Sequence, residues 1–166
     1  MSKLVGALRK LHLLPDMTRF QSDFPTRLVL QKVVYLVQEA GLPLGYGFGW
    51  YVRGPYSPSL ARDGYELSTL ESIREPAVEV DAKTAKRIRA LFKNIRLKSA
   101  SAPDQLVLLA SLHFIAKHAY PRVKNLKEAK ETLKRSKPTY NDAQIDRALR
   151  TLVDAGLLEP EAAESP

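Results

Sequence analysis

Apolar residues recur at helical spacing along most of this chain. Leu4, Leu8 and Leu11 mark a first helix with Ser2 as its N-cap. Leu30, Val33, Val34 and Val37 fall at i, i+3, i+4 and i+7 and predict a second helix over about 26–40, with Gln31, Lys32, Tyr35, Gln38 and Glu39 on its other side. Gly41 and Pro43 then form a stop signal. The period changes to two over residues 46–53: Tyr46, Phe48, Trp50 and Val52 alternate with Gly47, Gly49, Tyr51 and Arg53, which predicts a short strand. Ser57 and Pro58 fit the N-cap and N1 positions of a helix running to about Leu70. Residues 75–80 are read as a second strand pairing with the first.

Asp81 caps a helix over about 82–97 with a core face of Ala85, Ile88, Phe92 and Ile95. The segment 103–119 is apolar nearly all round, the pattern of a central buried helix. Two more helices are predicted, at about 124–136 and 142–155, the second capped by Asn141 or Asp142 and stopped at Gly156. The fold class is therefore mainly α with a small two-stranded β element. The expected organisation is one helical domain over 1–158 that ends in a helix-turn-helix-like pair, then a disordered acidic tail over 159–166.

Charge changes this picture. The 166 residues carry 26 Lys/Arg against 18 Asp/Glu, a net charge of +8. Residues 1–82 are balanced, residues 83–137 hold fifteen bases and three acids, and the remainder is net acidic. Segregated charge of this kind points to a polyanion or to the acidic surface of another protein. Lys86, Arg89, Lys93 and Arg96 repeat at i, i+3, i+7 and i+10, and Lys127, Lys130, Lys134 and Lys137 repeat that spacing. Two such rows suit a phosphate backbone or an acidic protein partner. A solvated helix face is the plainer reading. In the helix-turn-helix reading, Gln144, Asp146, Arg147, Arg150 and Asp154 would face DNA, a nearly neutral set for that task.

Candidate chemistry adds little. There is no cysteine, so disulfides and thiolate metal sites are excluded. His113 and His118 stand five apart, not at the i, i+4 spacing of a helical metal pair, and His113 is read as a packed residue of the central helix. Neither a Gly-Lys-Ser/Thr phosphate loop nor a Gly-x-Ser-x-Gly elbow is present. No catalytic residue, metal ligand or cofactor is assigned, and an enzyme with an unrecognised site is kept as an alternative. The N-terminal stretch lacks the apolar core of a signal peptide, no run is long enough to span a membrane, and a cytoplasmic location is expected. Residues 44–51 match an RNA-recognition signature at Gly45, Tyr46, Gly47, Phe48 and Tyr51, but helices flank them where that motif needs a four-stranded sheet.

Gln31-Lys-Val-Val-Tyr35, the Gly-Leu-Pro-Leu-Gly-Tyr connector, the aromatic strand and Gly54-Pro-Tyr-Ser-Pro-Ser-Leu-Ala-Arg-Asp63 together resemble the YwgA-like group of small prokaryotic proteins. More distantly they resemble the SocA-like antitoxin (Panacea) domain. The overlap covers about residues 28–67, and Arg53 departs from it where the pattern has an aromatic. The resemblance implies a compact helical fold with a small β element and no catalytic centre. It also implies action by binding protein: in the antitoxin relatives the domain neutralises a toxin or delivers it to a protease. On this reading Tyr35, Trp50, Tyr51, Arg53 and Tyr56 shape the turn and contact a partner.

Overall fold

A computed structural model describes residues 1–74 and 76–161. Among them are seven helices: α1 (Ser2–Lys10), α2 (Phe24–Glu39), α3 (Pro58–Leu67), α4 (Ala82–Phe92), α5 (Ala102–His118), α6 (Leu126–Ser136) and α7 (Asp142–Asp154). A short 3-10 turn covers Met17–Arg19. One antiparallel hairpin joins β1 (Gly49–Tyr51) to β2 (Gly54–Tyr56). The protein is thus mainly helical with a small two-stranded sheet, as its periodicity predicts.

Local chemistry sets most helix starts. Asp23 accepts from the backbone N–H and hydroxyl of Thr26 at the head of α2, Asp81 accepts from Thr84 N–H at α4, and Asn125 accepts from Glu128 N–H at α6. Asn141 and Gln144 form a reciprocal capping box at α7. Ser2 differs from expectation: it lies inside the first turn of α1, and Met1 occupies the cap position. At the end of α2, Gly41 adopts φ +120° and lets Leu42 N–H return to Val37 carbonyl.

The strand expected over residues 75–80 does not form: Glu75 lies outside the described residues, and 76–80 are irregular. The partner of β1 is instead Gly54–Tyr56, in the register Gly49 with Tyr56, Trp50 with Pro55 and Tyr51 with Gly54. Only Val52 and Arg53 separate the strands, so closing this hairpin costs far less chain entropy than reaching across α3 would. Gly54 makes the turn possible. Its φ is +83°, and a Cβ there would stand 2.2 Å from Ser111 Oγ on α5.

α5 is the central helix, with Leu106, Ala110 and Leu112 fully enclosed. It packs on α2, α6, α7 and β2. No helix among the described residues is long and apolar enough to cross a membrane. Residues 162–166 of the expected disordered tail lie outside the described residues. Nearer the core, Glu161 is engaged: its carboxylate accepts from Lys127 N–H in the first turn of α6.

Candidate partner-binding groove

The polar side of α2 is not a surface. Gln31, Lys32 and Tyr35 are all buried, because the Gly-Pro-Tyr-Ser turn and α5 close over them. Gln31 Nε2 donates to Ser57 carbonyl at 2.9 Å, and Ser57 N–H donates to Gln31 Oε1 at 2.8 Å. Lys32 Nζ donates to Pro55 carbonyl at 2.6 Å. No carboxylate lies within ion-pair distance of Lys32 among the described residues, and burial, with a smaller contribution from Lys137, pushes its pKa down to about 7. Gln38 binds the connector through Leu44 N–H, Tyr46 N–H and Tyr46 carbonyl. Tyr35 Oη lies 2.7 Å from His113 Nδ1, and burial raises the phenol's pKa. The expectation that Tyr35 contacts a partner is therefore corrected: at 1% exposure it has no surface to offer.

The hairpin residues divide. Trp50 lies against Phe114, with ring centroids 5.6 Å apart, and the Lys137 ammonium sits 5.6 Å over its ring. Tyr51, Arg53 and Tyr56 gather on the other side, with Tyr51 and Tyr56 rings 5.0 Å apart. Together with Phe20, Phe24 and Tyr65 they border a shallow cavity of about 290 Å³. Tyr51 and Arg53 are exposed and Tyr56 is half-buried.

The first basic row meets a different setting. α4 stops at Phe92, five residues short of the predicted end, and chain beyond it turns. Arg96 consequently leaves the helix, but Arg89, Lys93 and Arg96 still line one open groove of about 1270 Å³. Lys10, Arg19 and Lys98 border the same groove, while Lys86 is exposed outside it. The half-buried Phe92, Ile95 and Leu97 supply apolar surface beside these cations, backed by the buried Leu13, Val29 and Ile88. The lining includes two acids, Asp16 and Asp23. Both are occupied by capping bonds to Thr18 and Thr26, which hold their carboxyls below the ordinary range. Arg19 pairs with Asp23 at 3.0 Å. Among the described residues no carboxylate reaches Arg89, Lys93, Arg96 or Lys98 within 4.0 Å.

The second basic row is largely spent inside the molecule. Lys130 pairs with Asp146 at 2.7 Å, and Lys134 with Asp142 at 2.7 Å. Lys137 Nζ donates to Val52 carbonyl at 2.9 Å. Lys127 alone of the four stays exposed without a side-chain partner among the described residues. The counter-charges come from α7 across the helix pair, not from Glu128 and Glu131 on α6 itself. The proposed reading helix loses the same acids: Asp146 is ion-paired and Gln144 is held in the capping box, which leaves Arg147, Arg150 and Asp154 exposed.

One cluster has no counterpart in the sequence reading. Glu39, His113 and His118 place one ligand-type atom each within 4.8 Å of one another. Helical spacing argued against the histidine pair, but His118 ends α5 and the chain leaves in an extended conformation at Ala119. The two imidazole rings approach to 6.0 Å. Comparison with protein-family models, with curated proteins and with solved structures finds no match to this chain.

Proposed function

We propose that this protein is a non-enzymatic interaction protein, and that the groove between α1, the start of α2 and α4 takes an acidic, amphipathic segment of a partner protein. The observation that carries this reading is the combination of unneutralised cations with an apolar floor. Arg89, Lys93 and Arg96 stand with no carboxylate within 4.0 Å among the described residues, beside the half-buried Phe92, Ile95 and Leu97. An amphipathic helix or extended segment uses both parts, its apolar side chains on the floor and its carboxylates on the rim. A nucleic-acid backbone uses only the rim. Phe92 and His12 are the two aromatic rings of the lining, and no Tyr or Trp joins them, so a run of bases would find little to stack on. The reading agrees with the resemblance to the SocA-like domain, whose members act by binding protein.

The test is selection of amphipathic peptides from a display library on the full chain. Enriched sequences should be acidic on one face, bind less tightly as salt rises, and lose at least about tenfold in affinity against the double variant Arg89→Glu, Lys93→Glu. Neutral sequences, or indifference to the double variant, would overturn the proposal. Tighter, steeply salt-dependent binding of duplex DNA or single-stranded RNA at the same residues would assign the groove to nucleic acid.

A further inference from the structure

We propose that Glu39, His113 and His118 form a binding site for one divalent transition-metal ion of the zinc type. The site joins the last residue of α2 to the last turn of α5. His118 Nε2 lies 3.2 Å from Glu39 Oε2, and His113 Nε2 lies 3.9 Å from the same oxygen. Zinc bonds to nitrogen and oxygen are roughly 2.0–2.2 Å, so neighbouring tetrahedral ligands stand about 3.3–3.5 Å apart. These two separations are close to that spacing before any ion draws the groups inward, and all three ligand atoms lie within 4.8 Å of one another. Glu39 and His118 are partly exposed and able to adjust, whereas His113 is fixed at 2% exposure.

The fixed ligand is also the oriented one. Tyr35 Oη lies 2.7 Å from His113 Nδ1, and in the tautomer whose Nδ1–H donates to the phenol oxygen, Nε2 keeps its lone pair 3.9 Å from Glu39 Oε2. A hydrogen bond to the distal ring nitrogen is how proteins set the ring orientation of a metal-binding histidine. Two imidazoles and one carboxylate favour zinc and the later first-row ions over magnesium or calcium, which take oxygen ligands. The exposed edge at His118 gives an ion access and leaves a coordination position for water or for a group from outside. This inference stands apart from the groove, which contains none of the three residues.

The experiment uses the full chain without a polyhistidine tag, stripped with a chelator and titrated with Zn²⁺ by calorimetry and with Co²⁺ by visible absorption. Binding should saturate at one ion per chain, and Co²⁺ should give the d–d bands of a four- or five-coordinate site. Glu39→Gln and His118→Asn, both at partly exposed positions, should each weaken binding by at least about tenfold. Tyr35→Phe should weaken it while retaining the d–d bands, the mark of a positioning residue. Absence of saturable binding to the unaltered chain would overturn the proposal, and so would equal affinity in Glu39→Gln and His118→Asn.

Discussion

The side-chain amide of Gln31 is bonded at both of its ends to the backbone of one residue, Ser57. Its NH₂ donates to Ser57 carbonyl at 2.9 Å, and its oxygen accepts Ser57 N–H at 2.8 Å. Ser57 is fully buried where β2 passes into α3. A backbone that leaves a two-stranded hairpin inside the core has no third strand to satisfy it, and Gln31 stands in for that strand. The neighbouring Lys32 does the same for Pro55 carbonyl. The two halves of the family-like signature are therefore one structural unit.

Removing the amide leaves the buried Ser57 N–H without a partner, while Ser57 carbonyl keeps Ala61 N–H at 3.1 Å. Gln31→Ala should cost about 1–3 kcal/mol, the desolvation penalty of one orphaned buried group. Urea unfolding measures this as a lower midpoint at constant slope. A midpoint shift worth under about 0.5 kcal/mol would show that the clamp is not what holds the turn.

The approach of β2 to α5 depends on Gly54. Gly54→Ala sets a methyl 2.2 Å from Ser111 Oγ at a φ of +83°. Overpacking and left-handed strain together should cost about 2–4 kcal/mol. The two causes are separable. Ser111→Ala deletes the clashing oxygen, which has no hydrogen-bond partner of its own, and leaves the φ untouched. In the double variant about half of the loss should return, giving a coupling energy of about 1–2 kcal/mol in a double-mutant cycle. Additive effects would mean that β2 simply shifts away from α5.

Lys32 gives stability a pH dependence of known sign. Its folded pKa of about 7 lies below the ordinary lysine value of 10.5. Between these values the unfolded chain holds a proton that the folded chain lacks, so stability rises with pH from 7 toward 10.5 and is lost as pH falls to 7. The slope reaches at most about 1.4 kcal/mol per pH unit. Lys137, whose pKa is also lowered, chiefly by burial, adds in the same direction. Buried tyrosines act oppositely above about pH 10, so the comparison belongs between pH 7 and 9.5. Lys32→Met removes the cation but also deprives Pro55 carbonyl of its donor, so its absolute stability is not diagnostic. The slope is: urea midpoints that rise with pH in the unaltered chain should rise clearly less steeply in Lys32→Met, which keeps only the Lys137 contribution.

What was legible in the sequence was what local patterns decide. The all-apolar run about 103–119 announces a central helix, and Asn141 or Asp142 announces a helix start, because caps and periodicity act over a few residues. Contacts between distant segments were not legible. The amphipathic reading of α2 put Gln31, Lys32 and Tyr35 on an outer face, and only the return of residues 54–57 over them turns that face inward. The same limit hid Asp142 and Asp146 as the counter-charges of α6, and hid Glu39 beside His118, 79 positions away. Helical spacing sets His113 and His118 apart on α5, and it is Glu39 of α2 that reaches both.

The pairing of α6 with α7 makes a prediction that distinguishes masked from unmasked lysines. Asp142 and Asp146 hold Lys134 and Lys130, each at 2.7 Å, on a partly exposed surface. Exposed ion pairs contribute little to folding, so Asp142→Asn with Asp146→Asn should leave the melting temperature nearly unchanged. The electrostatic surface should change much more. Two carboxylates disappear and two ammonium groups become available to anions. Weak binding to duplex DNA, followed by fluorescence anisotropy across a salt series, should strengthen, and the slope of log K against log salt should steepen by about one to two, as expected for that many added phosphate contacts. Charge-reversed Arg89 and Lys93 should lower affinity equally in both backgrounds, because the groove lies on other elements. If the slope does not change when the two acids are removed, Lys130 and Lys134 are not masked by them, and the second basic row must be inert for another reason.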